Sequence, residues 1–178
     1  MRLISLIIIL LLISCDPDSI NKKGFGMKRD DLPDQTYQNY ITIETEMGKR
    51  KFRLWTMIFE LYSQKKEVFC KDSMMITFYD SEPDTVSSIL RSHDGFWEQR
   101  TNNLMAVNNV SLKSVDGKSL YTDTLYYDDR NKKFYSECDV MFVTLTDTLY
   151  GTAFKSDINL DNIEIENASG VSNRALKQ

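Results

Sequence analysis

The side chains able to do chemistry are few. The chain has one histidine, His93, and three cysteines, Cys15, Cys70 and Cys138. A single imidazole leaves no His-Cys pair for nucleophilic catalysis and no multi-histidine metal site. His93 falls opposite Asp123 when the chain is aligned with itself, which marks a turn or surface position. No G-x-S-x-G elbow, phosphate loop or calcium loop occurs. Asp128, Asp129, Asp157 and Asp161 stand in turn-like stretches, where aspartate serves the local backbone by accepting hydrogen bonds. Nothing singles out two carboxylates as an acid and base pair. The expectation is a protein that is not an enzyme and carries no cofactor and no metal.

Cys15 is the exception. The stretch MRLISLIIILLLISC puts Arg2 ahead of an apolar run from Leu3 to Ile13, interrupted only by Ser5. A helix needs about 20 apolar residues to span a bilayer, so this run suits the apolar part of a signal peptide. Ending in Leu12-Ile13-Ser14-Cys15, it resembles a bacterial lipobox, whose cysteine becomes the acylated N-terminus. Two or more acyl chains hold a domain stably on a membrane surface without crossing it, at about 0.8 kcal/mol per buried methylene. Asp16 resembles the signal that retains such lipoproteins at the inner membrane. Export also permits a disulfide between Cys70 and Cys138, while two buried small thiols fit the sequence equally well.

These groups sit in a chain of 178 residues with a formal net charge of -4. Its cations are scattered among acids, so the clustered positive field that nucleic acid requires is missing. Four segments follow: a signal peptide over 1–14, a flexible polar tether over 15–36, a β domain over 37–172 and a tail over 173–178. Within the domain ITIET, VFCKDSMMITF, LMAVNNVSLKS, KFYSECDVMFVTL and NIEIEN alternate with a period near two. Turn signals fall at Met47-Gly48, Ser81-Glu82-Pro83-Asp84, Asp116-Gly117 and Asp128-Asp129. The fold expected is all-β.

The domain also repeats itself. FWEQRTNNLMAVNNVSL, from Phe96 to Leu112, is echoed by YYDDRNKKFYSECDVMF, from Tyr126 to Phe142. LYGTAFKSDINLDNIEIENASGV follows as a further copy, and LYSQKKEVFCKDSMMITF precedes them if one gap is allowed. Repeats of this size stack because one unit cannot bury its own apolar face. Strand-turn-strand units of this kind pile into two twisted sheets packed face to face. Alternation assigns the inner surface to Val68, Cys70, Met74, Ile76 and Phe78, then Leu104, Ala106, Val110 and Leu112, then Phe134, Ser136, Cys138, Val140 and Phe142. Ile163, Ile165 and Val171 continue the series, while Met105, Val107, Asn109, Ser111 and Lys113 face outward.

With its anchored N-terminus, its repeated strand-turn-strand units over LRSHDGFWEQRTNNLMAVNNVSLKSVDGKSLYTDTLYYDDRNKKFYS and its closing TLYGTAFKSD, the chain resembles LptC. LptC is the periplasmic bridge component of lipopolysaccharide export, and it shares its repeat with the companion bridge protein LptA. The resemblance covers roughly residues 54–171, and Leu149 to Phe154 is the piece that points to LptC. It implies an open antiparallel β-jellyroll that passes lipopolysaccharide from an inner-membrane ABC transporter toward the outer membrane. The acyl chains would lie along Val68, Met74, Ile76, Phe78, Leu104, Ala106, Val110, Leu112, Phe134, Val140, Phe142, Ile163 and Ile165. It implies that the N-terminal edge strand, near Tyr40 to Thr45, meets the transporter. The C-terminal edge, from Asn162 to Val171, would meet an LptA-like protein. The chain departs from the family in its anchor, a lipid on Cys15 where the family's known members have a transmembrane helix. A partner-binding envelope scaffold or adhesin is the alternative reading, and it requires a closed, fully packed core.

Overall fold

The computed structural model describes residues 32–80 and 85–172. Cys15, Asp16, the signal peptide, most of the tether, the Ser81–Asp84 turn and the 173–178 tail lie outside the described residues. The described part is built of strands, joined into a single 13-stranded sheet. They are β1 (Gln35–Glu46), β2 (Lys49–Tyr62), β3 (Glu67–Tyr79), β4 (Val86–Ser92), β5 (Asp94–Glu98), β6 (Asn103–Ser114) and β7 (Ser119–Asp128). β8 (Lys133–Ser136), β9 (Val140–Val143), β10 (Asp147–Gly151), β11 (Ala153–Asp157), β12 (Glu164–Glu166) and β13 (Ser169–Ser172) complete it. Pairing begins at Gln35, two residues before the boundary set by composition.

One sheet becomes two layers by folding along a crease. β3 pairs with β5 through Glu67–Cys70 and with β4 through Met74–Tyr79. Between these halves Asp72 and Ser73 take positive φ. β6 does the same at Asn108 and Asn109, both left-handed, where its register against β7 jumps from Val107 to Val110. β1 bends at Asn39 and β2 slips register beside Met57. Shorter strands simply stop there: β4 hands over to β5 at His93, β8 to β9 at Glu137–Asp139, and β10 to β11 at Thr152. Asparagine and aspartate suit such a line because they tolerate the left-handed region and satisfy their own backbone locally. Layer one therefore runs through the N-terminal half of β1, the C-terminal half of β2, the first half of β3, then β5, β6, β7, β8, β11 and β12. Layer two takes the other halves of β1, β2 and β3, then β4, β6, β7, β9, β10 and β13.

The bulges also decide which way side chains face. β2 and β7 place one residue at the crease, so their buried positions switch parity, from Phe52 and Leu54 to Phe59, and from Leu120 to Leu125 and Tyr127. β3 and β6 place two residues there and keep parity, from Val68 and Cys70 to Met74, Ile76 and Phe78. That is the behaviour of β-bulges, which add residues to one strand only. The buried side chains form one cluster between the layers.

The repeat is visible in the turns of layer one. Val68 pairs with Leu61, Leu104 with Trp97 and Phe134 with Tyr127. Each pair is joined through a turn whose final residue, Lys66, Asn102 or Lys132, has positive φ. These registers align the first copy with the others without the expected gap.

Candidate functional site

The candidate inner residues come together as assigned. Val68, Ile76, Ala106, Leu112 and Phe134 are wholly buried, and Met74, Phe78, Leu104, Val110, Val140 and Phe142 are nearly so. Ile163 and Ile165 pack on the cluster from its C-terminal end and are half-buried. Two members of the alternating series differ. Cys138 lies where β8 gives way to β9 and is half-buried, and Val171 is 64% exposed. Both stand at or beyond the crease, where the simple period of two breaks. Cys70 and Cys138 carry free thiols, and burial pushes the Cys70 thiol up to about 12.

Sequence alternation missed Phe52, Leu54, Leu90, Trp97, Leu120, Leu125, Tyr127, Phe154 and Leu160, all buried in the same interior. Phe52 and Leu54 alternate plainly within KRKFRLW, a signal that was available. Leu125 and Tyr127 lie beyond a parity switch, which sequence alone does not mark. The aromatic members touch one another: Phe52 meets Trp97 edge-on at 5.6 Å, and Phe78 meets Phe134 at 5.1 Å and Tyr127 at 4.9 Å. Such ring pairs add about 0.5–1.5 kcal/mol each beyond area burial. Two hydroxyls in this interior, Ser88 Oγ and Ser156 Oγ, are buried without a hydrogen-bond partner.

Opposite the crease the layers end in two rows of hairpin turns, which form lips. Polar side chains bridge the two lips. Asn102 Nδ2 donates to Glu44 Oε1 at 3.4 Å, and Ser87 Oγ donates to the Ile158 carbonyl at 2.9 Å. Lys118 pairs with Asp161 across the same line. The densest bridge joins Lys51 Nζ of layer two to Asp129 Oδ2 of layer one at 2.7 Å, both side chains 12% exposed. Lys132 Nζ reaches Asp129 Oδ1 at 2.8 Å and Glu46 Oε2 at 3.9 Å, and the Tyr127 hydroxyl donates to Asp129 Oδ1. Partial burial works against the Asp129 carboxylate, but hydrogen bonds and charge from Lys132 and Lys51 hold its pKa below the usual carboxylate range. Partial burial likewise opposes the Lys51 ammonium, and Asp129 raises its pKa nonetheless.

Sequence reasoning placed Asp129 in a turn as a local acceptor. That role belongs to Asp128, which accepts from Asn131, and to Asp157, which accepts from Asp161 and Asn162. Beside the bridge a cavity of about 480 Å³ opens between the lips. Phe78, Tyr79, Tyr127 and Ile158 form its apolar lining, and Lys49, Arg50, Lys51, Lys132, Glu46 and Asp80 its charged rim. The Arg50 guanidinium sits over the Tyr79 ring, 5.3 Å from its centroid.

His93 is exposed at the crease and bonds Asp94 at 2.9 Å. Partial burial opposes ionisation of Asp94, yet hydrogen bonds from Asn108 and His93 keep its pKa lowered. Among the described residues no group of three or more His, Cys, Asp or Glu side chains could hold a metal ion. Among the described residues, at the two ends of the ribbon β1 pairs only with β2, β12 only with β11, and β13 only with β10.

No protein-family model matches the sequence, and no curated protein resembles it closely enough to count as a relative. Among solved structures the fold is similar to that of LptH from Pseudomonas aeruginosa, described as the LptA homologous periplasmic component of the conserved lipopolysaccharide transport device. The similarity spans 67% of this chain and 93% of that one, with a TM-score of 0.57 and 11% sequence identity. At that identity the likeness establishes the β-jellyroll fold.

Proposed function

We propose that this chain is a non-enzymatic lipid-transport protein that passes lipopolysaccharide from an inner-membrane ABC transporter into a periplasmic β-jellyroll bridge. It works from the periplasmic face of the inner membrane, held there by acyl chains on Cys15. The observation that carries the reading is the continuous apolar interior between two layers whose end strands each have one strand neighbour among the described residues. A fourteen-carbon acyl chain costs on the order of 10 kcal/mol to expose to water, so moving one across an aqueous gap requires a covered apolar path. End strands of this kind let that path continue into a neighbour by strand addition. β1 meets the transporter and the β12–β13 end meets an LptA-like partner. The fold of LptH supports the reading, as does the sequence resemblance to LptC.

Transport requires the layers to part along their lips, because the interior is filled by its own side chains. A charged bridge is suited to this. It is rewetted as it opens, so its ions are not left stranded in an apolar medium, and its parting costs less than breaking an equal apolar seam. The acyl chains then replace contacts among Phe78, Leu112, Phe134 and Phe142, with the sugars remaining outside.

One observation favours the alternative, a partner-binding envelope scaffold: the packed, bridged interior is what a closed scaffold needs. A photoreactive residue at Phe134 or Leu112 separates the two. A conduit crosslinks to lipopolysaccharide in cells from these positions, whereas a scaffold yields no lipid adduct from any interior site.

A further inference from the structure

The two outer faces of the sandwich differ sharply in charge. Layer two presents two rows of outward residues, joined strand to strand by the register. One passes through Ile41, Trp55, Met75 and Arg91, and the other through Ile43, Arg53, Thr77, Ile89 and Lys113. Followed to β13 through Ser111, Tyr121, Met141, Tyr150 and Ser169 and through Ser119, Val143, Thr148 and Val171, neither row contains an acid. The acids of this layer lie outside the rows, Glu46, Asp116 and Asp147 at its lip and Asp123 and Asp139 at the crease. The outer face of layer one carries many acids, with Glu60, Glu67, Glu98, Asp128, Asp157 and Glu164 facing out among Lys71, Lys133 and Lys155.

The acid-free face is also apolar and open. Ile41 is 48% exposed and Ile43 47%, and the most exposed large apolar side chains, Met47, Leu145 and Val115, stand on turns of the same layer's lip. From this combination we infer that the outer face of layer two, centred on Ile41, Ile43, Arg53, Trp55, Arg91 and Lys113, docks on an anionic phospholipid bilayer.

Charge complementarity selects the occupant. Cations on an apolar surface without acids suit an interface where headgroups are negative and acyl chains begin, and each Lys or Arg near such a surface contributes about fivefold in affinity. The position of the face fits as well. The apolar run ends at Ile13, and the described chain starts at Leu32, just ahead of β1. Nineteen residues span at most about 65 Å, so a membrane that holds the N-terminus is within reach of this face. The acyl chains proposed on Cys15 hold the chain on the membrane, and this face sets how the domain lies on it. The domain then lies with its acidic face toward the aqueous phase and its lip turns at the headgroups. The inference does not depend on what the interior carries.

The test uses the full chain reconstituted in nanodiscs of phosphatidylcholine, with or without phosphatidylglycerol. Lysine acylation is read by mass spectrometry at Lys113 on the docking face and at Lys155 on the opposite face. Docking lowers labelling of Lys113 at least about fivefold on discs containing phosphatidylglycerol and leaves Lys155 unchanged. A second readout uses Trp97→Phe, which leaves Trp55 as the one tryptophan, with quenching by headgroup spin labels. In that background Arg53→Glu with Arg91→Glu and Lys113→Glu lowers the docked-to-free ratio on the order of 100-fold, as does high salt. Equal labelling of Lys113 on both kinds of disc overturns the proposal. So does protection that appears in detergent and grows with protein concentration, which assigns the face to a second copy of the chain. Should Trp97→Phe misfold, the footprint on the unaltered chain decides.

Discussion

Replacing Asp129 by asparagine tests whether the lips are held shut by charge. The substitution keeps the shape of the side chain and removes the anion that receives Lys51, Lys132 and the Tyr127 hydroxyl. Stranding a charge after breaking a fully buried pair costs 3–5 kcal/mol. Here Lys51 is 12% exposed, keeps Glu46 at 3.6 Å and can turn toward water, so a loss of about 2 kcal/mol is the reasoned figure. For a domain of this size that lowers Tm by roughly 4–8 °C, measurable by circular dichroism at pH 7. The pH profile gives a sharper check. The Asp129 pKa is depressed by folding, so its contribution is present above the unfolded value, near 4, and fades as pH falls through the folded value. The Lys51 pKa is raised, so its contribution is present below the unfolded value, near 10.4, and is lost as pH rises through the folded value. The two proteins should therefore differ most on the plateau between these limits and converge in acid once the pH has fallen through the folded Asp129 value. A variant equal in stability to the parent at pH 7, or a difference that persists undiminished in acid, refutes the idea of a charge-held seam.

Phe134→Ala removes a wholly buried ring that touches Phe78 and Tyr127 and should cost about 3–5 kcal/mol in chemical denaturation. A loss below about 1 kcal/mol would mean that the interior is loosely filled. In the native protein at pH 9, iodoacetamide should label Cys138 and spare Cys70, whose thiol is buried and pushed up to about 12. Equal labelling read peptide by peptide would show that the layers already part at rest.

The sequence disclosed the β architecture, the stacking of repeats and most of one inner face, because alternation and repeated turn chemistry are local properties. Val68, Met74, Ile76, Phe78, Leu104, Ala106, Val110 and Leu112 were legible since β3 and β6 place two residues at the crease and keep their parity. Leu125 and Tyr127 were not, because β7 places one residue there and the inner set shifts from even to odd numbers. The lip bridge was hidden for a different reason. Lys51 and Asp129 are 78 positions apart, and nothing local distinguishes Asp129 from Asp128, its neighbour in a turn. The charge asymmetry of the outer faces became readable only once the register had joined residues of successive strands into rows.

The central claim is that the lips must open for lipid to enter the interior, and a lock across them tests it most directly. Glu44 and Asn102 face one another across the lips with their side chains in contact, so Glu44→Cys with Asn102→Cys allows the layers to be joined by a short thiol crosslinker in cells. The account predicts that joining them halts lipopolysaccharide export while the protein remains folded and on the membrane, and that a cleavable crosslinker restores export once reduced. Undiminished export by the fully crosslinked protein would contradict it.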